Sequence, residues 1–256
     1  MTAFPRLFYG HRGAPSELPE NTLPSFRRAI ERGANAIETD AHMTCDGHIV
    51  LSHDADGRRT ANVTREIRQC TLDEVRRWDV GWGFVDAHGQ RPFAGKGFQI
   101  PTLEELAREI PDVMLNVDAK QLSPDIVPSL LAVVRKLGAE SRIRLASFHT
   151  RTLLRIRAAG YAGPTGLSQN EIAALYFAPR KSLSWLRYRD VAAQVPPAVW
   201  RVRFDERAFI DKCHALGIRV DYWVIDDVNE ARRLLALGAD GIQTDDPARI
   251  AAAFAP

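Results

Sequence analysis

The sequence predicts an α/β protein built as a TIM barrel, the closed (β/α)8 arrangement, with a small insertion after the second strand region. Short apolar, strand-like runs alternate with helix-like segments from end to end of the 256 residues. A glycine follows five of the helical runs, where a left-handed C-terminal cap favours it: Gly33, Gly138, Gly160, Gly217 and Gly238. This order of strand, helix and glycine is typical of parallel βα units. A closed barrel and a doubly wound open sheet would both produce it.

Seven of the strands can be placed from the apolar runs. They are predicted at residues 7–10, 36–40, 49–53, 113–118, 143–147, 218–224 and 241–244. The fifth and sixth strands of a barrel are poorly defined between Gly163 and Phe204. Residues 55–100 interrupt the rhythm with glycine, tryptophan and charged residues. We interpret them as an insertion over the mouth of a single domain that spans residues 1–256.

The positions of the polar residues favour the barrel over the open sheet. Six such residues stand at the carboxyl ends of strand candidates: His11, Glu38, Asp40, His53, Asp118 and Lys120. In a TIM barrel those ends meet at one mouth, which is where the active sites of this fold lie. An open sheet would gather its ligand residues near a switch point, usually with a glycine-rich loop, and the sequence has no Gly-x-Gly-x-x-Gly motif.

Composition argues against several other classes of protein. The 34 Lys and Arg nearly balance the 32 Asp and Glu, which indicates no nucleic-acid partner. The stretch from Arg180 to Arg189 could touch a phosphate or a membrane surface, but we interpret it as a solvated helical face.

Three scattered cysteines predict neither a disulfide framework nor a thiolate zinc site. Without a signal segment or an apolar run of about 18 residues, we expect a cytoplasmic protein with no stable membrane insertion, although a processed precursor would look the same.

Three carboxylates form the first candidate site. Glu38 and Asp40 are two residues apart, so on a strand both side chains point to the same face. With Asp118 on the next barrel strand they would make an all-oxygen site, which suits Mg²⁺ or Ca²⁺ better than zinc. The alternative is that the carboxylates only pair with Arg12 or Lys120. We prefer the metal site, because unpaired carboxylates inside a barrel would be costly.

Two histidines could move protons beside that metal. Cleavage of a phosphodiester needs a proton removed from the nucleophile and another supplied to the leaving oxygen, and histidine does either near neutral pH. A lone histidine at a strand end is more often structural, but His11 and His53 flank the carboxylates, which favours catalysis. Asp54 either orients His53 or caps the following turn.

The remaining candidates would bind the substrate. Arg12 and Lys120 place positive charge beside the carboxylates, and a phosphate binds well to a guanidinium or an ammonium group. Trp223, near the end of the penultimate strand, belongs either to the core or to an apolar wall beside the substrate. These residues indicate phosphate-ester chemistry on a small molecule, and they leave the oligomeric state open.

As an ordered set, the motifs resemble those of the glycerophosphodiester phosphodiesterase family over nearly the whole chain. The matching segments are His11-Arg12-Gly13, Pro19-Glu20-Asn21-Thr22, Glu38-x-Asp40, Thr44-x-Asp46-Gly47, His53-Asp54, residues 100–105 and residues 238–247. The resemblance implies a TIM barrel that hydrolyses phosphoric diesters, with an insertion after the segment that ends in His53-Asp54. It implies an acid/base pair, His11 and His53. The metal ligands it implies are Glu38, Asp40 and Asp118, and the phosphate-binding residues are Arg12 and Lys120.

Two positions depart from the pattern of that family. Asp118 stands where glutamate is usual, which concerns the geometry of the metal site. Asp226 follows Trp223-Val224-Ile225, where a Trp-Thr-Val-Asn sequence is more usual. This second departure concerns the substrate side of the mouth.

We therefore expect metal-dependent hydrolysis of glycerophosphodiesters to glycerol 3-phosphate and an alcohol. Because charged residues dominate the predicted mouth, soluble diesters should be better substrates than two-chain phospholipids. One alternative is a phospholipase D-like enzyme acting on lysophospholipids or sphingomyelin. Its apolar groove would come from aromatic residues of the insertion: Trp78, Trp82, Phe84, Phe93 and Phe98. A non-catalytic barrel that binds phosphate metabolites is the second alternative.

Overall fold

A computed structural model describes residues 4–183 and 190–254, and within them eight parallel strands form a closed barrel. The strands are β1 (Leu7–His11), β2 (Ala36–Met43), β3 (Met114–Ala119), β4 (Ile143–Ala146), β5 (Thr165–Gly166), β6 (Val191–Val195), β7 (Arg219–Tyr222) and β8 (Gly241–Thr244). Each strand pairs with the next along the chain, and β1 pairs with both β2 and β8, so the sheet has no edge. The predicted TIM barrel is confirmed.

Helices follow the strands in regular alternation. They are α1 (Leu23–Glu31), α2 (Leu103–Glu109), α3 (Val127–Lys136), α4 (Thr150–Ala158), α5 (Gln169–Phe177), α6 (Arg207–His214), α7 (Val228–Leu237) and α8 (Pro247–Phe254). Helix α2 begins at a capping box, in which Thr102 and Glu105 satisfy each other's backbone N–H groups. The five glycines predicted to follow helices all have positive φ. None of the helices in the described ranges has both the length and the hydrophobicity that a membrane crossing needs.

One predicted strand has a different role from the one expected. Residues 49–53 were placed among the barrel strands, but Ile49–Leu51 pairs antiparallel with the far end of β2, where Met43 lies opposite Ile49. The physical reason is the Asp46-Gly47 turn, because it returns the chain far too soon for the crossover that a parallel strand requires. The hairpin extends β2 beyond the barrel and brings His53 back to the mouth.

The region where two strands were poorly defined contains β5 and β6. Strand β5 has only two residues, Thr165 and Gly166, which is too short to give an apolar run in the sequence. Most of the Arg-rich stretch, with its predicted solvated helical face, falls in residues 184–189 and lies outside the described residues.

The insertion has a small apolar cluster of its own. Its members are Val50, Ile67, Cys70, Val75, Trp78, Val80 and Ile100. Val50 belongs to the hairpin that extends β2, so this cluster joins the insertion to the barrel. None of residues 55–100 is among those that line the cavity at the mouth. Arg59 pairs with Glu20 and Asp54 beside that cavity, and the placement of the whole insertion over the mouth stays a prediction. The single-domain interpretation stays a prediction.

The barrel interior contains a buried polar layer. Asp221 on β7 is fully buried and accepts hydrogen bonds from the Tyr9 hydroxyl at 2.9 Å and from Nε of Arg219 at 2.9 Å. Nη1 of Arg144 on β4 donates to the Tyr9 hydroxyl at 2.6 Å. These bonds tie β1, β4 and β7 together across the interior, and several donors share the one buried carboxylate.

Gly13 shapes the turn between β1 and α1, and it provides a test of this part of the fold. Its φ is +95°, and a Cβ there would lie 2.4 Å from Oγ of Ser25 in the first turn of α1.

We expect Gly13→Ala to lower the free energy of unfolding by about 2 to 4 kcal/mol. This figure adds the cost of a left-handed backbone at a residue with a Cβ to the cost of the steric clash. The measurement is urea denaturation. The control is Gly47→Ala, where φ is +87° but no atom lies within 4 Å, with an expected loss of about 1 kcal/mol. Equal losses would contradict the steric argument.

Candidate active site

A cavity of about 480 Å³ opens at the carboxyl ends of the strands. All eight residues selected from the sequence line it: His11, Arg12, Glu38, Asp40, His53, Asp118, Lys120 and Trp223. The register of the sheet brings them together, because Glu38 lies opposite His11 and Asp40 lies opposite Asp118. The barrel thus gathers into one cavity residues that are more than 200 positions apart in the chain.

Two cations compensate part of the negative charge in this cavity. Nζ of Lys120 lies 3.0 Å from Oδ1 of Asp40 and 2.7 Å from Oδ2 of Asp118. Nε of Arg12 lies 3.3 Å from Oδ2 of Asp40. Burial by itself would raise the pKa of Asp40, but Lys120 and Arg12 outweigh it and the pKa is lowered. Burial has the larger effect at Asp118 and raises its pKa in spite of Lys120.

Glu38 is the carboxylate with the least compensation. Burial, with a further contribution from the negative charge of Asp40, raises the pKa of Glu38 to about 8. Its nearest cationic group is the imidazole of His11, with Nε2 3.7 Å from Oε2 of Glu38. A buried carboxylate that resists ionisation identifies this part of the cavity as a place where added positive charge would be stabilised.

His11 is held from its other side by an aspartate that sequence reasoning missed. Nδ1 of His11 lies 2.6 Å from Oδ1 of Asp245, which can only accept when ionised, so Nδ1 is the donor. Burial would lower the pKa of His11, but Glu38 and Asp245 outweigh it and raise the pKa. Asp245 follows β8 directly, so the rule that selected the other polar residues at strand ends would have found it.

Asp226, one of the two departures from the family pattern, acts on this same loop. Its Oδ1 accepts hydrogen bonds from the Thr244 hydroxyl at 2.6 Å and from the backbone N–H of Asp245 at 2.8 Å. Asp226 does not line the cavity, and its carboxylate fixes the loop that presents Asp245 to His11. Asp226 therefore affects the orientation of His11, through Asp245, and does not shape the cavity wall.

His53 has a matching carboxylate partner. Its Nδ1 lies 2.8 Å from Oδ1 of Asp54, a contact that fits the orienting role considered for Asp54. Arg59 donates from Nε to Asp54 at 2.7 Å and through both Nη atoms to Glu20, at 2.6 and 2.8 Å. Glu20 also accepts from Arg12 at 3.3 Å. This chain of ion pairs connects the start of the insertion to the loop after β1.

The oxygen atoms of the site suit a hard cation. Three buried oxygens of residues that line the cavity have no hydrogen-bond partner among the described residues: Glu38 Oε2, Asn116 Oδ1 and Asp118 Oδ1. Mg²⁺ and Ca²⁺ take such oxygens as ligands. No three His, Cys, Asp or Glu side chains of the described residues are yet close enough to hold a metal. Lys120 lies between Asp40 and Asp118, so a metal would require these side chains to turn toward a common point. Asn116 was missed, although it shares the strand face of Asp118.

The rest of the cavity wall is apolar, so the expectation of a mouth lined mainly by charges was wrong. Its side chains come from the loops after β4, β5 and β7, from the end of β6, from α5, and from the small hairpin of Ala198–Val199 with Val202–Arg203 and the residue that follows it. We call this set the apolar wall: Phe148, Leu167, Ile172, Tyr176, Phe177, Val195, Val199, Val202, Phe204 and Trp223. Trp223 packs edge-on against Phe148, with ring centroids 6.0 Å apart.

The aromatic residues of the insertion take no part in this wall. None of the five proposed from the sequence lines the cavity. Phe93 instead packs against Phe84 and Phe98, with ring centroids 4.9 and 5.2 Å apart. Trp78 is buried in the cluster of the insertion itself. The apolar groove expected of a lipid-directed enzyme exists, but it is built from a different part of the chain.

The profile of the Glycerophosphoryl diester phosphodiesterase family matches residues 11–249. This chain belongs to that family. It is 30% identical over 246 residues to a glycerophosphodiester phosphodiesterase of Caldanaerobacter subterraneus, with 94% of each chain covered. It is 24% identical to the human protein named lysophospholipase D GDPD1, covering 94% of this chain and 83% of the relative. A phosphodiesterase of Oleispira antarctica, solved in complex with the product sn-glycerol-3-phosphate, has the same fold, with a TM-score of 0.77, 23% identity, and 98% and 97% coverage.

Membership of the glycerophosphoryl diester phosphodiesterase family makes the chain a phosphoric diester hydrolase, as the resemblance implied. It favours an enzyme over the non-catalytic barrel that binds phosphate metabolites. The roles of the individual site residues, the metal, the cytoplasmic location and the lack of a nucleic-acid partner stay predictions.

The raised pKa of Glu38 leads to a prediction about stability. A carboxyl group with a raised pKa in the fold contributes stability below its unfolded pKa, and that contribution is lost as the pH rises through about 8. Glu38→Gln should therefore stabilise the chelator-treated protein by about 1 to 4 kcal/mol at about pH 9 and much less at about pH 5. Thermal melts followed by circular dichroism measure this. Glu31→Gln, at an exposed site on α1, is the control and should show no such pH dependence. A gain for Glu38→Gln that is the same at both pH values would contradict the assigned cause.

Proposed function

We propose that this family member hydrolyses glycerophosphodiesters to glycerol 3-phosphate and an alcohol with the help of a divalent cation, Mg²⁺ or Ca²⁺. The observation that carries the proposal is one cavity that joins unpartnered carboxylate oxygens, two carboxylate-held imidazoles and two cations. Two of the related proteins support it, since one is named for this activity and the other was solved with glycerol 3-phosphate as its product.

The cation would be held by Glu38, Asp40 and Asp118, and the free oxygen of Asn116 makes it a fourth candidate ligand. When bound, such a cation supplies Lewis-acid stabilisation of the negative charge that develops on the phosphate. Arg12 and Lys120, which both contact Asp40, bind and orient the phosphate group. Their positive charge also stabilises the transition state, in which charge builds up on the non-bridging oxygens.

The two histidines carry the protons. Because Nδ1 of each imidazole faces a carboxylate, Nε2 is the nitrogen left to exchange a proton with the substrate. One imidazole accepts the proton of the attacking hydroxyl as the new bond to phosphorus forms. The other donates a proton to the alcohol oxygen as its bond to phosphorus breaks. Attack by water or by a hydroxyl of the substrate, which would give a cyclic phosphate first, needs the same two transfers.

The test is the release of glycerol 3-phosphate from glycerophosphocholine. We expect exhaustive chelation to abolish release and Mg²⁺ or Ca²⁺ to restore it. Asp118→Ala should raise the metal concentration needed for half-maximal activity, because a charged ligand is lost, and calorimetry should show weaker metal binding. Asp118→Glu should preserve activity, and Asp211→Ala, on the exposed face of α6, is the control.

The same assay tests the histidines. His53→Ala should lower turnover by roughly 10²-fold or more, the usual effect of losing a general acid or base, with little change in thermal stability.

Two results would contradict the proposed metal site. Full activity after chelation would disprove the metal requirement. Unchanged metal dependence in Asp118→Ala would make that residue only a partner of Lys120.

A second candidate function is the hydrolysis of lysophospholipids, and the apolar wall favours it. A glycerophosphodiester without a hydrocarbon chain has no apolar group that could pack against the apolar wall. A lysophospholipid has such a chain, and each of its methylenes that is buried contributes about 0.8 kcal/mol to the binding free energy. The cavity volume lies within the range that accommodates one small ligand, which suits one chain better than two. The human relative is named for activity of this kind.

We expect kcat/KM to be at least tenfold higher for a short-chain lysophosphatidylcholine, used below its micelle threshold, than for glycerophosphocholine, because about two additional buried methylenes suffice for that factor. Ile172→Asn, in the apolar wall, should lower kcat/KM for the lysolipid and leave that for glycerophosphocholine unchanged. Leu154→Asn, on the exposed side of α4, is the matched control. Equal kcat/KM for the two substrates would eliminate this candidate and leave the soluble diester as the substrate.

A further inference from the structure

The edge of the cavity has the two most exposed large apolar side chains of the described residues. Trp200 is 99% exposed and Phe177 is 74% exposed, with Val199 at 45%. We call these three residues the aromatic rim. Phe177 ends α5 and Val199 lies on the small hairpin, and both also line the cavity. The aromatic rim is therefore the outer margin of the apolar wall.

The position of Trp200 conflicts with the local preferences of its residue type. Val199 pairs with Val202, which makes Trp200 and Arg201 the two-residue loop of a hairpin. Such loops favour asparagine and glycine, and the φ of +55° at Trp200 is unfavourable for a bulky side chain. An indole that is almost fully exposed gains no packing in return. A local rule broken without compensation inside the fold indicates a functional contact outside it.

The chain around the aromatic rim is strongly basic. Between positions 172 and 204 the sequence has one acidic residue, Asp190, and six basic ones: Arg180, Lys181, Arg187, Arg189, Arg201 and Arg203. Arg180 and Lys181 follow Phe177 by three and four residues, and Arg201 follows Trp200. These three are exposed, and none has an ion-pair partner in the part of the chain that the structure describes. A partner with negative charge would complement them.

We propose that the aromatic rim docks onto an anionic phospholipid surface. Tryptophan is favoured at the level of lipid headgroups, where its ring is buried and its N–H stays hydrated, and exposed lysines and arginines are attracted to anionic headgroups. The cavity opens directly beside the rim, so a single-chain lipid leaving the surface would meet the apolar wall. A second copy of the chain fits less well, because a symmetric contact would bring the same basic residues face to face.

Vesicle sedimentation tests this proposal without any need for turnover. The full chain is mixed with vesicles of phosphatidylcholine alone, or with vesicles in which a third of the lipid is phosphatidylglycerol. We expect at least tenfold tighter binding to the anionic vesicles, because Arg180, Lys181 and Arg201 can each raise the affinity for an anionic surface by about fivefold. Binding to these vesicles should weaken at high salt. Arg201→Ala should weaken anionic binding by about fivefold. Arg58→Ala, an exposed site in the insertion, is its control and should change nothing.

Trp200→Asn tests the aromatic contribution. Asparagine accepts the left-handed backbone, so the hairpin should keep its fold and the melting temperature should not fall. Binding to both kinds of vesicle should weaken by about tenfold or more, while kcat/KM for soluble glycerophosphocholine stays unchanged. Leu154→Asn is the control for an exposed apolar residue elsewhere.

Three results would overturn the proposal. The first is equal or absent binding of the wild type to the two kinds of vesicle. The second is unchanged binding of Trp200→Asn. The third is concentration-dependent dimerisation that Trp200→Asn abolishes, which would make the aromatic rim an interface between copies. Vesicle binding without hydrolysis of any diester would support docking and contradict the proposed function, so the two can fail separately.

Discussion

The burial of three carboxylates close together is the constraint on which the site depends. Glu38, Asp40 and Asp118 are each at most 6% exposed, and they lie on neighbouring strands of one barrel. Lys120 lies between two of them and relieves the repulsion there. Burial, with a further contribution from the charge of Asp40, raises the pKa of Glu38 to about 8. The protein keeps this unfavourable arrangement because the strands around it are held firmly. A divalent cation bound by these carboxylates would take over the role of Lys120 there. The ammonium group of Lys120 would then be free to bind the phosphate.

The barrel maintains that arrangement through its register. A slip of one residue between β2 and β3 would turn Glu38 and Asp40 away from the interior and break the match with Asp118. The closed sheet resists such a slip because every strand is paired on both sides. Two residues before His11 on the same face of β1, Tyr9 joins the hydrogen bonds of Asp221 and Arg144. The polar layer inside the barrel thus supports the layer of candidate site residues directly above it.

The sequence was sufficient to predict the polar half of the site because that half follows simple periodicity. Glu38 and Asp40 share one face of a strand, and Asn116, Asp118 and Lys120 repeat the same spacing on the next barrel strand. Asp245 was overlooked although it occupies an equivalent strand end. The contact of Asp54 with its neighbour His53 was one of the two roles considered for Asp54. The contact that orients His11 could not be predicted, because Asp245 reaches His11 across 234 positions of sequence. The misplaced strand at residues 49–53 shows that an apolar run reveals a strand but not its partner.

The apolar wall could not be predicted for a different reason. Its residues come from loops, a helix and a small hairpin, where apolar side chains cannot be told from ordinary core residues by their spacing. The two-residue strand β5 also hides the alternation of elements in that region. The aromatic residues of the insertion are conspicuous in the sequence, yet Phe84, Phe93 and Phe98 pack on one another. Trp78 is buried in the cluster of the insertion, and Trp82 lies under Arg91. Whether an aromatic residue faces a cavity is decided by the tertiary fold.

The two halves of the cavity come from different parts of the chain. The groups proposed for metal, phosphate and proton transfer precede position 121, whereas the apolar wall lies between Phe148 and Trp223. Asp245, behind His11, and Gln243, which lines the cavity, link the end of the chain to the groups proposed for the chemistry. The two halves meet where Nζ of Lys120 lies 5.2 Å from the ring centroid of Phe148. Substitutions elsewhere in the apolar wall are expected to alter which substrate is bound and to leave the charged groups in place. The aromatic rim lies on the apolar half alone, so the proposed recognition of a hydrocarbon chain and the proposed contact with a lipid surface would be adjusted together, on one side of the candidate catalytic groups.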